Sequence, residues 1–580
     1  MELQNKTPLA VESHTTLNLP FRHASTQSFM LLQPMYYKHC LRTEHERFLV
    51  TSKVIPQPIV VPTFGRISHN LRHFFVPYRL IMPNWDEALL DTIASNQTLS
   101  SQVIEFPQIY PDAILNLFIK PSNQFTTIVT DNSEDFIAPD STKYRFTRMG
   151  KQIYKILYSL GYDIVGGDKR PFFNALALLA YAKVYCDWYA NSQYLNNALY
   201  LKLQQYFKYN DPSTPLVLMD TDLYYIFMFI RPCVYKQNTY FEDAWDNPVS
   251  PNSSNFTNFL FTDPTTSNGS RILTNMNGTP EMFQTNNTDL SLGTDYLHTA
   301  LKKLSVYQHR HALAGARSID RLLAEYGVKT DYQRLNRSVY IGCNMADVEI
   351  NQIFATANGS NSMGSSVVGD YSGTGHCSAN HSFDFVNDEE GIIITISTII
   401  PQGGYYQGYD RHNRHLSKTQ FFNADFDALG VQSIEKGEVY VSKDMSSFIS
   451  SAQDYAGHFG FTGRYGEYKR SIDRVSGDLA LPKHLAGGKC WHLMRTFDDA
   501  YFNNSIANVS HDEDFARGTD AGQYNRIFTY TEEYAEIDPF QVFVDVQCSS
   551  IAPCKPLTDE FEWDSLAPKV SISSNGSKLN

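Results

Sequence analysis

The sequence predicts a mainly β chain that carries long helical and loop insertions. Three observations predict it. Residues 390–401, EGIIITISTIIP, are continuous and β-branched, as in a strand buried on both faces. In DPFQVFVDVQ, Val542, Val544 and Val546 alternate with Phe543 and Asp545, the period of two of a strand. Further strand-like runs lie near the N-terminus, helical periodicity is confined to the middle, and no linker-like stretch separates the parts.

Residues 1–25 are polar and irregular and read as an extended N-terminal arm. Residues 28–37, SFMLLQPMYY, and 46–55, ERFLVTSKVI, read as strands, the second broken by Pro56, Pro58 and Pro62. A third strand runs through Val76 to Pro77, and Trp85 starts a helical turn. Residues 95–145 are rich in turn formers and read as loops with short strands. The stretch 149–167, MGKQIYKILYSLGYDIVGG, is amphipathic and reads as a helix ending at Gly161.

In 170–197, Phe173, Leu176, Ala177, Ala180, Tyr181, Val184 and Trp188 share one helical face. Asp168 suits its cap and Pro171 its first turn. The opposite side is apolar too, so this helix is predicted to be buried, with Asn174, Lys183 and Asp187 needing partners. Residues 222–232 read as a buried strand or short helix. Asn, Thr, Ser, Asp, Gly and Pro dominate 236–294, a long surface insertion. Helical spacing returns at 297–330, closed by Gly327. Residues 355–380 read as a Gly/Ser-rich loop, and 559–580 as a polar tail.

A chain of 580 residues with 42% hydrophobic and 19% charged content is folded. Its net charge of −13 opposes an overall basic nucleic-acid binder and leaves room for a local basic face. The 36 Tyr and 37 Phe suit wide, partly wet interfaces. Eight scattered cysteines without a CxxC pair read as reduced thiols of a protein made in a cytoplasm. MELQNKTPLAVESH lacks the apolar core of a signal peptide, and the longest apolar runs are too short to span a bilayer.

Several separated motifs carry a resemblance. Phe74, Phe75, Val76, Pro77, Arg79 and Leu80 are followed by Asn84 and Trp85. Leu-Leu-Ala-Tyr181-x-Lys183-x-Tyr-x-Asp187-Trp188-Tyr comes next, then Tyr326, Gly327, Val328, Arg334, Leu335, Arg337, Tyr340 and Gly342. Gly460, Arg464, Glu467, Tyr468, Lys469 and Gly477, with Phe461 where a Tyr would stand, precede Trp491, His492, Leu493 and Phe497. In this order, over roughly residues 13–557, the set resembles the major capsid proteins of microviruses, the small single-stranded DNA phages. The resemblance implies an eight-stranded antiparallel jelly roll with helical and loop insertions, one domain over 26–558. It implies a non-enzymatic, cofactor-free protein of the virion, assembled in the host cytoplasm. Copies of the chain would form a T=1 icosahedral shell around circular single-stranded DNA. Minor virion proteins (pilot, scaffold or DNA-packaging) and a host surface receptor are the further partners implied. In the gokushovirus subgroup a long coat insertion projects outward near a threefold axis, and 236–294 is the matching candidate for host attachment. The motif residues Phe74, Phe75, Val76, Pro77, Arg79, Trp85, Tyr181, Asp187, Trp188, Trp491 and His492 are structural in this reading.

No constellation of residues reads as an active site. His309 and His311 are too close on a helix to share a metal, and His412 and His415 lack a third partner at ligand spacing. Gly369, Gly373 and Gly375 lack the Lys-Ser/Thr of a phosphate loop. Asp512, Glu513 and Asp514 read as a solvated loop, or as a calcium site between subunits. Cations cluster twice: Arg411, Arg414 and Lys418 beside His412 and His415, and Lys469, Arg470 and Arg474 among Tyr465 and Tyr468. Such groups suit phosphates and stacked bases of packaged DNA, or salt bridges between subunits. The rival function is a carbohydrate-binding jelly-roll module or a glycan-active enzyme, the latter needing paired carboxylates in a cleft.

Overall fold

The structure, a computed structural model, describes residues 15–59, 65–82, 106–109, 143–162, 173–189, 336–427, 431–441, 458–480 and 538–552, apart from single residues or pairs within these ranges. It also describes Trp85, Leu493, Ile527, Phe528 and short strands at 119–121, 136–137 and 217–218. The principal strands are β1 (Thr15–Gln27), β2 (Gln33–Cys40), β3 (His45–Pro56), β4 (Arg66–Pro77), β5 (Val339–Asp347) and β6 (Glu349–Phe354). They continue with β7 (Tyr371–Val386), β8 (Gly391–Gln402), β9 (Val431–Glu435), β10 (His458–Gly463) and β11 (Phe540–Ala552).

Two antiparallel sheets face one another. One runs β1-β11-β3-β7-β6, the other β5-β4-β8-β2. Alternation supplies the core between them: Phe48, Val50 and Val54 of β3 and Val542, Val544 and Val546 of β11 meet Leu71, Phe75, Ile393 and Ile399 of the second sheet. The chain is thus mainly β, as the sequence predicts.

Strand β8 is buried on both faces, again as predicted. Ile393 and Ile399 enter the core between the sheets, whereas Ile392, Ile394 and Ile396 point the other way. There they meet α2 (Leu176–Val184), all nine residues of which are buried, and α1 (Arg148–Ser159). Helix α1 stops as predicted: Gly161 takes φ +85°, and the Tyr162 amide donates to the Leu157 carbonyl at 2.9 Å.

Four expectations are corrected. Residues 15–25 are not an irregular arm; β1 pairs with β11 along its whole length, from Thr15↔Ala552 to Gln27↔Phe540. It is an edge strand, mostly exposed, so its apolar alternation is weak and Pro20 masks it. The next strand begins at Gln33 rather than Ser28: the Gln27 side chain donates to the Leu31 carbonyl at 2.7 Å, and Phe29, Leu31 and Leu32 are buried outside any strand. Helix α2 begins at Leu176: Phe173–Asn174 pair with Gln108–Ile109, and Asn174 Oδ1 accepts from the Leu176 amide at 2.9 Å. It passes into a π-helical turn at Tyr185–Tyr189. Asp168 and Pro171 lie outside the described residues. Finally, 371–380 belong to the 16-residue strand β7 and not to a loop. Its glycines serve close approach: a Cβ on Gly375 would lie 2.6 Å from Pro56, and Gly373 exchanges backbone hydrogen bonds with Ile59. The stretches 222–232, 236–294, 297–330 and 559–580 also lie outside the described residues.

The sheets carry buried polar anchors. His73 Nδ1 lies 2.9 Å from Thr395 Oγ1, and His69 Nε2 lies 3.0 Å from Ser397 Oγ, itself a donor to Gln27 Oε1 at 2.7 Å. Burial pushes His69 down to about 4; burial and the nearby His381 push His73 down to about 3. Asp538, just before β11, accepts from Thr26 Oγ1 at 2.9 Å, Ser28 Oγ at 2.7 Å and the Lys155 ammonium of α1. Burial works to raise its carboxyl, but the Lys155 charge and these hydrogen bonds hold it below the usual carboxylate range.

The two histidines predict acid lability. The unfolded chain protonates them below about pH 6.5, while the folded chain keeps both rings neutral to far lower pH. Stability is therefore fully present above about pH 6.5 and falls by roughly 1.4 kcal/mol per pH unit per ring down to about pH 4. Urea unfolding at stepped pH should show this slope, and His73→Gln should lower the slope whatever it does to stability at neutral pH.

Candidate assembly and nucleic-acid surfaces

The motif residues fall on the joint between the second sheet and its helix. Phe75 points into the core between the sheets. Phe74 and Val76 face α2, with the Phe74 ring 5.7 Å from that of Trp188. Pro77 ends β4, and past it Arg79 Nε donates to Glu389 Oε2 at 2.6 Å and Trp85 Nε1 to Glu390 Oε2 at 2.8 Å. Tyr181, fully buried, donates its hydroxyl to the Leu32 carbonyl at 2.6 Å.

Asp187 is the centre of a clamp on β5. Its Oδ2 accepts from the Ser338 amide at 2.7 Å and the Ser338 hydroxyl at 2.9 Å. Its Oδ1 pairs with Lys183 Nζ at 3.1 Å, and that ammonium also donates to the Asn336 carbonyl. Trp188 Nε1 donates to Ser338 Oγ at 3.0 Å, and the Arg337 guanidinium lies 3.6 Å above the Trp188 ring. The need for partners at Asn174, Lys183 and Asp187 is thus met. Ser338, Glu389 and Glu390 were not singled out from sequence; the acidic pair directly before a β-branched run is the signal that marks the latter two. Trp491, His492 and the motif positions 326–335 lie outside the described residues.

The basic groups come together around the antiparallel pair β9–β10. Asp410 Oδ1 accepts from the His412 amide and caps the short 3₁₀ turn Arg411–Arg414. Arg411 is structural in character, with Nη1 donating to Glu438 Oε1 at 2.7 Å and to the Ser433 carbonyl at 2.6 Å. Glu438 is buried, and so is Glu467, whose carboxylate lies 3.6 Å from His415 Nε2. Burial draws His415 down more than Glu467 lifts it. The outer pairs are solvated: Arg414 with Glu435 at 3.7 Å, Lys469 with Asp427 at 2.5 Å, and Arg474 with Asp410 at 2.9 Å. Lys418 is exposed. Aromatic rings are interleaved with these charges as expected: Tyr468 lies 4.7 Å from His412 and 5.7 Å from Phe422, and Phe422 lies 5.0 Å from Tyr465.

Among the described residues, Cys40, Glu44 and Glu46 bring donor atoms close enough for a metal ion. A cation of the chain itself already sits against both carboxylates. Lys38 bonds Glu46 and lies 3.5 Å from Glu44, Cys548 Sγ donates to Glu46 Oε2 at 2.9 Å, and burial pushes the Cys40 thiol up. These contacts fit a buried salt bridge better than a cation site. Asp512, Glu513, Asp514, His309 and His311 lie outside the described residues. Among the described residues no helix is long and apolar enough to cross a membrane.

A two-sheet sandwich braced by a buried helix, with its polar chemistry spent on internal anchors, suits a coat-building protein. The family model described as capsid protein (F protein) matches residues 164–533, well over half of the chain, and the chain belongs to this family of microvirus major capsid proteins. Capsid protein VP1 of Chlamydia phage 1 is 27% identical over 205 residues, 33% of this chain and 32% of that relative. The match thus spans about a third of the relative's length. The chain is a virion component.

The clamp makes a prediction. Asp187→Ala removes the acceptor of two Ser338 bonds and leaves the Lys183 charge buried, a loss of roughly 3–5 kcal/mol. Thermal unfolding should show a large drop in Tm, with Lys183→Met in the Asp187→Ala background recovering part of it.

Proposed function

We propose that this chain is a purely structural, non-catalytic unit whose copies close into a T=1 icosahedral shell around circular single-stranded DNA. The observation that carries the reading is the strand order. The order β1-β11-β3-β7 facing β2-β8-β4-β5 supports an eight-strand jelly roll, in which chain-distant strands interleave as two Greek keys. Strand β6 is then an added ninth on the edge beside β7. Assembly takes place in the host cytoplasm, with minor virion proteins (pilot, scaffold or DNA-packaging) as partners. The insertion 236–294 is proposed as the outward projection that meets a host receptor.

The exposure of the ion pairs sorts the six cations proposed to face DNA. Arg411 is committed to buried Glu438. Exposed pairs contribute little, so phosphate can displace their carboxylates. That leaves Arg414, Lys418, Lys469, Arg470 and Arg474 as the candidates for phosphate contact.

Size-exclusion chromatography with electron microscopy tests the function. Uniform small particles support the shell, whereas a stable monomer that binds sugars supports the carbohydrate-binding or glycan-active alternative. In assembled particles, Arg470→Ala with Arg474→Ala should lower DNA content; unchanged packaging removes those two residues from the genome face.

A further inference from the structure

Besides scattered exposed residues such as Leu19, Phe21, Leu49, Met345 and Phe543, two surfaces among the described residues group large apolar side chains in water. The first is the tip of the β6–β7 hairpin. Ile353 is 50% exposed, Phe354 53%, Val367 59% and Val368 58%. The tip is nonetheless tightly built. The Ala355 amide donates to the Asp370 carbonyl at 2.8 Å, the Gly369 amide to the Ala355 carbonyl at 2.8 Å, and the Val367 amide to Asp370 Oδ2 at 2.7 Å. Gly369 supplies the left-handed turn with φ +93°. Backbone held in this way lowers the ordering cost at the moment of contact.

The second surface lies on the module around β9 and β10. Leu416 is 88% exposed, and Phe421, Phe422, Phe426 and Tyr468 are also exposed. Phe421, His415, Tyr468 and Phe422 form a connected platform of rings, mostly edge-on or tilted, with Phe421 5.2 Å from His415 and Phe422 5.7 Å from Tyr468. Patches of this kind mark interaction sites on soluble proteins.

The two surfaces carry opposite charges at one position each. From Ser338 to Asp410 the chain contains no Lys or Arg. Asp370 stands at the tip, and Glu349 lies at the other end of β6, opposite His376. Beside the platform Lys418 is exposed, while Arg414 and Lys469 are paired with Glu435 and Asp427. Both surfaces are exposed in the single chain, so neither covers the other within one molecule.

We propose that the apolar hairpin tip of one copy docks on the aromatic platform of the next, a head-to-tail contact between unlike surfaces. Such contacts close into rings when the rotation allows, and a closed shell is built from rings. This contact rests on the shell reading above. It assigns the rings of the platform to a neighbouring protein copy and leaves Arg470 and Arg474 to the genome, with Asp370 of the tip set against Lys418.

The test uses particles of the full chain. Val368→Cys combined with Leu416→Cys, oxidised after assembly, should give a ladder of covalent chain multiples on a non-reducing gel, and neither single variant should. Phe421→Asp with Phe422→Asp, and separately Val367→Asp with Val368→Asp, should cut particle yield by more than about tenfold. Circular dichroism and Tm of the variants should stay those of the parent. Asp370→Lys and Lys418→Glu should each lower the yield, and the pair together should restore it. Particles of the Val368→Cys, Leu416→Cys chain that show no ladder, together with normal yield in both aspartate doubles, overturn the contact. Normal particle yield with reduced DNA content in Phe421→Ala with Phe422→Ala also overturns it, in favour of DNA on the platform. A wild-type chain that forms no particles overturns the shell reading, and this contact with it.

Discussion

Strand β8 has no face left for water, and that constraint organises the rest. A strand of Ile at 392, 393, 394, 396, 399 and 400 must be covered twice. One cover is the five-stranded sheet; the other is α2, which is apolar nearly all round because it is itself enclosed. Gly391 lets the start of the strand sit tight against β4, where a Cβ would fall 2.5 Å from the Val76 carbonyl oxygen. The polar residues inside the strand need partners at the same depth. Thr395 and Ser397 find them in His73, His69 and Gln27.

The same logic explains where the charges go. Asp187, Asp538 and Glu46 are buried carboxylates, and each joins segments far apart in sequence. Asp187 locks helix to sheet, Asp538 ties β1 and α1 to the start of β11, and Glu46 joins β2, β3 and β11. An ion pair at such depth adds little net stability, but removal of one partner strands the other. These anchors therefore select one arrangement of the elements more than they strengthen it. With so much polarity used inside, the outer surface is free to carry apolar groups.

Much of the fold was legible in the sequence where one residue pattern had one solution. The β-branched run of β8, the period of two in β11, the end of α1 at Gly161 and the buried character of α2 all follow from local rules. The failures have a common physical cause: tertiary contacts overrode local signals. β1 is polar enough to pass for an arm until β11 is seen beside it. The Gly/Ser content of 371–380 suggests a loop, yet it is what permits close approach to Pro56 and Ile59. Of the candidate surfaces, sequence located the basic and aromatic residues and their proximity. It could not tell that Arg411 is held by a buried carboxylate, since Glu438 lies 27 positions away. The hairpin tip went unnoticed because its two apolar pairs, Ile353–Phe354 and Val367–Val368, flank a Gly, Ser and Asn stretch, and only their exposure distinguishes them.

The position of β11 has one more consequence. Strand β11 is not an edge decoration; it lies between β1 and β3 and is the sole strand partner of β1 among the described residues. A polypeptide cut before Phe540 therefore loses the plank that joins β1 to β3, and the Thr15–Gln27 strand loses the neighbour it pairs with along its whole length.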